Sequence, residues 1–313
     1  MKNRNLLPWA VLGLVALLAP AAFAADAPAA KPAPKKVVLI AGLKSHGPEG
    51  NGVHDYNWSV RLLRAMLERG NVKDAVRVEH HLNGWPADPK AVEDADCVVV
   101  ISDGRDGDKY AEAQHLATPE RVALMDKLAK RGCGLVVIHF STFAPDAYGE
   151  KVLDWVGGYF DWETDGKRQW YSAIKTLEAD VKVAPSAERH PVLRGVKPFR
   201  MKEEFYYNIR FAPDDKGTTK LLEVPDLKGR EGDGNVVAWA RQRPGGQAGV
   251  GGGRGFGTTC GHFYFNWTND DFRRTVLNGI VWCAGAEVPA GGVESTVLSR
   301  EEVEKAVPAA EKK

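Results

Sequence analysis

GLVVIHF, residues Gly134–Phe140, sets four successive apolar residues between a glycine and a histidine. An aliphatic, β-branched run without polar alternation is what a strand covered on both faces requires. Two earlier runs have the same character, KVVLIA at Lys36–Ala41 and DCVVVIS at Asp96–Ser102, and VRVEHH at Val76–His81 reads as a further strand. Helical periodicity separates them. Over Asp55–Arg69, Trp58, Leu62, Leu63 and Met66 share one face, and Gly70 can terminate the helix. Thr118-Pro119 supplies an N-cap and first helical position, Val122, Met125 and Leu128 form the buried stripe, and Gly132 stands at the end. Strands alternating with helices predict an α/β fold with a doubly wound, mostly parallel sheet.

The second half is less regular. Strands are expected at Gln169–Leu177, Leu221–Val224, Val236–Ala240 and Gly255–Cys260. A last core helix is expected over Thr268–Ala284, with Phe272, Val276, Ile280 and Cys283 on one face and Gly285 after it. Val297–Val307 can form a short surface helix within a C-terminal tail, residues 286–313. No internal repeat is visible.

The first 24 residues read as a secretory signal peptide. Lys2 and Arg4 precede an apolar run, Trp9–Leu18, and Ala22-Phe23-Ala24 is an A-x-A cleavage site. An exported chain, periplasmic or extracellular and with no stable membrane insertion after cleavage, is therefore expected. Residues 25–35, rich in Ala, Pro and Lys, read as a flexible leader, and residues 36–285 as one α/β domain. Losing residues 1–24 takes the net charge from +1 to −1. A nearly neutral body has no electrostatic footprint for nucleic acid. Cys97, Cys133, Cys260 and Cys283 border apolar runs or lie on a helix face, and no CxxC spacing occurs. They read as buried thiols rather than a disulfide framework or a cysteine zinc site.

In a doubly wound sheet, ligands bind beyond the carboxyl ends of the strands. Four loops carry polar chemistry to that rim. The first holds Lys44-Ser45-His46 and Val53-His54-Asp55-Tyr56. The second holds Asp103, Arg105 and Asp106. His139 with Ser141 and Gly261-His262 complete the set. His139 stands where related strand–turn–helix units expose a nucleophile, yet no G-x-S-x-G or G-x-C-x-G surrounds it. Its imidazole suits general acid–base work near neutral pH. His46, His54 and His262 are candidates for a divalent metal, although H-E-x-x-H is absent. Glu203-Glu204 opens the run EEFYYN; in an extended segment adjacent side chains face opposite ways, so one at most reaches a common site. Trp162, Trp170, Tyr171, Tyr206, Tyr264 and Trp267 could pack in the core or present ring faces to a sugar.

An ordered set of residues resembles the ThuA-like family: His46, His54 and Trp58; GLVVIH at Gly134–His139; Gly157-Gly158-Tyr159-Phe160; His190-Pro191 and Gly195; Glu204 with Tyr206; Val237-Ala238-Trp239; and Gly255 to His262 with Trp267. The resemblance spans about residues 36–285. It implies a flavodoxin-like, class I glutamine amidotransferase-like fold that lacks the amidotransferase cysteine, and a link to sugar metabolism. Carried over, it implies a site of His46, His54, His139, Glu204, Tyr206 and His262. Taken with the polar rim, the expected catalytic residues are His139 and Glu204, and the expected substrate-binding residues are His46, His54, Asp103, Tyr206, His262 and Trp267. Asp161-Trp162 stands where the family commonly has a histidine. The expectation is an enzyme acting on a carbohydrate or an oxidised 3-keto glycoside by His/Glu acid–base chemistry. A non-catalytic carbohydrate-binding or partner-docking protein and a divalent-metal hydrolase remain open, as do the identity of any cofactor and a homo-oligomer. The expected partner is a small-molecule carbohydrate.

Overall fold

The computed structural model describes residues 32–106, 113–213, 216–245 and 252–309. The expected signal peptide and most of the leader lie outside them. From Ala33 onward the chain forms one compact unit. Its first half comprises β1 (Lys35–Ala41), α1 (Tyr56–Arg69), β2 (Val76–His81), α2 (Lys90–Glu93), β3 (Cys97–Ile101), α3 (Pro119–Arg131) and β4 (Gly134–Ile138). Next come β5 (Phe143–Ala144), α4 (Asp146–Val156), β6 (Gly158–Asp161), β7 (Glu163–Thr164), β8 (Lys167–Arg168) and β9 (Ala173–Val183). The chain closes with β10 (Phe199–Tyr207), β11 (Arg210–Phe211), β12 (Thr218–Glu223), β13 (Val236–Gln242), β14 (Arg254–Thr258), α5 (Asp270–Cys283) and α6 (Arg300–Ala306).

Nine strands form the main sheet in the order β10-β9-β12-β13-β14-β4-β3-β1-β2. From β14 to β2 every pairing is parallel. Read from β2 the order is that of a flavodoxin-like sheet, with β14 as the fifth strand. From β14 outward the pairings turn antiparallel. Along β1, Val37, Leu39 and Ala41 face a core shared with α1 and α5, while Val38 and Ile40 face one shared with α3 and α4. Burial on both sides is why these strands lack polar alternation. All four cysteines are buried and free. Among the described residues no helix is long and apolar enough to cross a membrane.

Several boundaries differ from expectation, each for a local reason. β4 stops at Ile138 rather than Phe140, because His139 takes a φ of 55° and starts a 3-10 turn over His139–Thr142. The strand expected at Gln169–Leu177 starts at Ala173 and runs to Val183. Helix α4 was not anticipated; Val152, Trp155 and Val156 form its buried stripe, but Gly149 interrupts the pattern. That glycine lets the helix meet Tyr159, whose hydroxyl oxygen would lie 2.5 Å from a Cβ there. β10 was also missed. Phe199, Met201 and Phe205 alternate inward as a strand should, but Glu203 occupies the inward position between them and is fully buried.

β9 and β10 form a long antiparallel ribbon. Only Lys182 and Val183 of β9 pair with β12. The remainder of the ribbon leaves the sheet edge and reaches the loop after β14: Glu203 accepts hydrogen bonds from the Gly261 amide (2.9 Å) and from Asn266 Nδ2 (2.9 Å). This contact carries residues of β10 to the carboxyl ends of the parallel strands.

Candidate functional site

Three strand ends and the ribbon converge. After β1, the loop to α1 is organised by Asp55, whose buried carboxylate accepts from the Gly50 and Gly52 amides (3.0 and 2.8 Å), Lys44 Nζ (2.8 Å) and Arg300 Nη2 (2.6 Å). These bonds fix the path into His54, which adopts a φ of 48° and donates its amide to the His262 carbonyl (3.0 Å). His139 has a φ of 55°. Such left-handed conformations of non-glycine residues cost of order 1 kcal/mol or more and are held by surrounding contacts. After β14, Gly261 has a φ of 130°, and a Cβ on it would lie 3.0 Å from Ile138 Cγ2 and 3.4 Å from His139 Cβ. Glycine thus allows His262 to approach His139 closely.

The result is a cluster of three imidazole nitrogens. His54 Nε2 is 3.0 Å from His139 Nε2 and 2.9 Å from His262 Nδ1, and the last two are 3.2 Å apart. Glu204 Oε2 lies 3.1 Å from His262 Nδ1 and 3.7 Å from His139 Nε2. Tyr206 brings its hydroxyl to 2.8 Å from His139 Nε2 and stacks on that ring.

The outer contacts assign the tautomers. His139 Nδ1 is 2.7 Å from the Thr259 carbonyl, which can only accept, so Nδ1 carries the hydrogen. Tyr56 donates its hydroxyl hydrogen to Asp103 Oδ1 (2.6 Å) and so accepts from His54 Nδ1 (2.9 Å). Both Nε2 lone pairs therefore point into the cluster, 3.0 Å apart, with no hydrogen between them. Two facing lone pairs repel; a cation among them turns the repulsion into attraction. Nitrogens about 2.1 Å from one ion at roughly right angles lie about 3 Å apart, whereas tetrahedral ligands would be separated by about 3.4 Å. A histidine whose other ring nitrogen binds a backbone carbonyl or a hydroxyl–carboxylate pair is also the usual outer support of a metal ligand.

Electrostatics agree with neutral imidazoles. Burial, and then the neighbouring His262, His46 and Lys44, lower the His54 pKa to about 2. Burial and the proximity of His54 and His262 hold His139 well below the usual range, against the opposing pull of Glu204 and the Thr259 carbonyl. For Glu204, burial works to raise the pKa, but the hydrogen bond with His262 and the nearby imidazoles prevail and lower it. Burial raises Glu203, against the bonds from Gly261, Asn266 and its neighbour's amide. Of the two adjacent carboxylates, Glu204 faces the imidazoles and Glu203 pins the loop that carries His262.

The sequence-derived candidates separate accordingly. His54, His139, His262 and Glu204 form one potential metal-holding group; His46, His54 and Asp103 form another. The metal candidates His46, His54 and His262 divide between the two: His54 and His262 share the first group with His139 and Glu204, and His46 lies in the second. The His46 ring lies against His54 with centroids 4.1 Å apart. Ser45 Oγ donates to Asp103 Oδ1 (2.6 Å) and lies 2.6 Å from His46 Nδ1. That chain places the His46 hydrogen on Nδ1 and makes Nε2 the basic nitrogen. Trp267 is a correction. It is 1% exposed, stacks on Phe272 and donates its Nε1 hydrogen to Ser59 Oγ (3.0 Å), so it belongs to the core and presents no face to a ligand. Ser141 is structural: its hydroxyl accepts from the Ile138 amide (2.8 Å) and faces the Val100 carbonyl (2.9 Å). Sequence reasoning missed Tyr56, Ser45 and the Thr259 carbonyl as supports. Only the adjacency of Ser45 and Tyr56 to the loop histidines hinted at the first two, and a backbone carbonyl has no sequence signature.

Known proteins place the chain among relatives. Two solved structures share the fold: a ThuA-like protein from Bacteroides uniformis, with TM-score 0.54 and 14% identity over 83% of this chain and 95% of that one, and a ThuA-like protein from Parabacteroides merdae, with TM-score 0.54 and 17% identity over 84% and 98%. No protein with a curated description matches. The family model described as trehalose utilisation matches residues 46–283, a span that contains His46, His54, Asp103, His139, Glu204, Tyr206 and His262. The chain belongs to the ThuA, or trehalose utilisation, family.

Proposed function

We propose that this protein is an exported, metal-dependent enzyme acting on a carbohydrate, specifically an oxidised 3-keto glycoside. The observation that carries the proposal is the convergence of His54 Nε2, His139 Nε2 and His262 Nδ1 within 3.2 Å, beside Glu204. Three imidazoles and one carboxylate suit a divalent first-row transition ion. Bound there, such an ion acts as a Lewis acid toward a sugar carbonyl or hydroxyl oxygen. The family description supports the sugar as substrate class.

A 3-keto group acidifies the hydrogen on the neighbouring ring carbon, so a base of moderate strength can remove it. Both ring nitrogens of His139 are committed, Nδ1 to the Thr259 carbonyl and Nε2 to the cluster. His46 fits the base better: it lies against His54 at the mouth, with Asp103 and Ser45 orienting its ring. Once the C2 hydrogen has passed to His46, the electron pair from that C–H bond forms the C1–C2 double bond. The C1–O bond breaks, and the departing alkoxide takes up a proton. The proposal thus moves the acid–base role from His139, its first assignment, to His46. The export component rests on the signal-like residues 1–24.

Two measurements test the reading. Elemental analysis of untagged protein should find about one transition ion per chain; less than about a tenth, after the apoprotein has been offered manganese, iron and zinc, sinks the metal reading. Incubation with 3-ketotrehalose, followed by NMR, should show cleavage that a chelator abolishes and the ion restores. A keto sugar returned unchanged by metal-loaded protein would leave a binding protein instead. A mature N-terminus other than Ala25 counts against the export reading.

A further inference from the structure

The fully buried carboxylate of Asp55 takes its two cations from opposite ends of the chain. Lys44 belongs to the same loop, whereas Arg300 opens α6, 245 residues beyond Asp55. The Arg300 guanidinium also donates Nη1 to the Gly50 carbonyl (2.6 Å), and its carbon lies 5.1 Å from the Trp58 ring and 4.7 Å from that of Tyr264. One side chain therefore meets α1, the loop that carries His54 and the turn that follows His262. Those two segments are joined by an isolated antiparallel bridge between Val53 and Phe263, in which the Tyr264 amide donates to the Gly52 carbonyl (2.8 Å) and the His54 amide to the His262 carbonyl (3.0 Å). Helix α6 has anchors of its own. Val303 is fully buried, Arg61 donates Nε to the Val307 carbonyl (2.6 Å) and pairs with Glu304, and Ser299 with Glu302 caps the first turn. The helix lies beyond residues 46–283, the span that the family model matches.

We infer that α6 belongs to the support of the metal site: Arg300 is a positioning residue that clamps the bridge between the His54 and His262 segments, and ion binding and α6 docking reinforce each other. The inference rests on the metal reading above. Ligand atoms must sit within about 0.2 Å of their proper distances, so whatever fastens the bridge between two ligand-bearing segments also fixes the fit of the ion. An exposed ion pair would contribute little. Here the carboxylate is buried, and the planar guanidinium holds it and the Gly50 carbonyl at once. Removing the guanidinium leaves a buried carboxylate one cation short and a carbonyl without that donor. The coupling is reciprocal: whatever a docked α6 adds to ion affinity, a bound ion adds to the docking of α6.

Arg300→Ala and Arg300→Lys in the full chain test the inference, with manganese affinity read by chelator competition and amide hydrogen exchange read residue by residue. Arg300→Ala is expected to weaken manganese binding about tenfold; Arg300→Lys, which keeps the charge but not the fork, should weaken it less. Without metal, Arg300→Ala should speed exchange of the Gly50 and Gly52 amides, which donate to Asp55, but not of the Gly261 amide, which donates to Glu203. A general loss of stability would speed all three. Manganese should slow exchange of the Val303 and Val307 amides in the native chain and leave them unchanged in Arg300→Ala. Equal manganese affinity in the native chain and Arg300→Ala would overturn the inference alone. Faster exchange at Gly261 together with the other two, or α6 amides in the native chain that do not respond to the ion, would also overturn it. A native chain that takes up no manganese, iron or zinc removes the metal reading itself, and the inference with it.

Discussion

The parallel strands and the β9–β10 ribbon supply the same centre by different means. β1, β4 and β14 end at one rim because a doubly wound parallel sheet has one carboxyl edge, and the turns after them carry His54, His139 and His262. The ribbon has no such edge. It brings Glu204 and Tyr206 from within a strand that is four strands away from β14 in sheet order, by leaving the sheet and crossing to the loop at Gly261. Topology brings the three turns that carry the histidines to one rim. The carboxylate is positioned by one buried polar contact, Glu203 to Gly261 and Asn266. A site assembled this way has a rigid half and a half whose placement depends on a few bonds.

The largest test of that asymmetry compares ligands from the two halves. His139→Ala is expected to drop metal content below about a tenth of an ion per chain and kcat/KM toward 3-ketotrehalose by at least about a thousandfold. Glu204→Gln leaves three imidazoles in place, so the metal should remain with about 10- to 100-fold weaker affinity. If Glu204→Gln strips the metal more completely than His139→Ala, the ribbon rather than the sheet is the anchor, and the comparison is reversed.

A smaller effect is expected from the pin itself. Glu203→Leu leaves the amides of Gly261 and Glu204 and Asn266 Nδ2 without their carboxylate acceptor. Unfolding in urea should show a loss of about 3 kcal/mol, with Glu203→Gln, which keeps one acceptor oxygen, losing about 1 kcal/mol. An unchanged midpoint for Glu203→Leu would mean that the ribbon is held elsewhere.

The parallel half carries its own pH signature. Burial lowers the His115 pKa to about 4, and among the described residues neither of its ring nitrogens has a hydrogen-bond partner. Between pH 6.5 and 4 the unfolded chain binds a proton at this residue that the folded chain does not, so stability is full above 6.5 and falls as the pH drops through that window. The contribution is at most about 3 kcal/mol. His115→Gln should flatten the slope of unfolding free energy against pH in that window; an unchanged slope would assign it to the half-buried His80 and His190, whose pKa values partial burial also lowers to about 4.

The legible parts of the molecule were those in which side-chain pattern and burial agree. KVVLIA, DCVVVIS and GLVVIHF could be read as central strands because both faces are covered, and the strand ends then pointed to His46, His54, His139 and His262. β10 escaped because a glutamate fills an apolar slot, and α4 because a glycine sits where its close contact with Tyr159 requires one. Trp267 was misread because an aromatic near a site histidine in sequence carries no sign of which way it faces; its hydrogen bond to Ser59 turns it inward.

By itself the sequence determined the doubly wound sheet, the rim at which polar loops gather, and the absence of an amidotransferase cysteine, since each is written in local periodicity and residue identity. Only the tertiary structure decided that His46 stands apart from the tight cluster, that His139 and Glu204 join it, and which nitrogen of each supported histidine is the donor. Those outcomes depend on contacts between residues far apart in the chain, such as His139 with Thr259 and Glu203 with Gly261. Hydrogen-bond direction is a property of such a contact, and no residue read alone contains it.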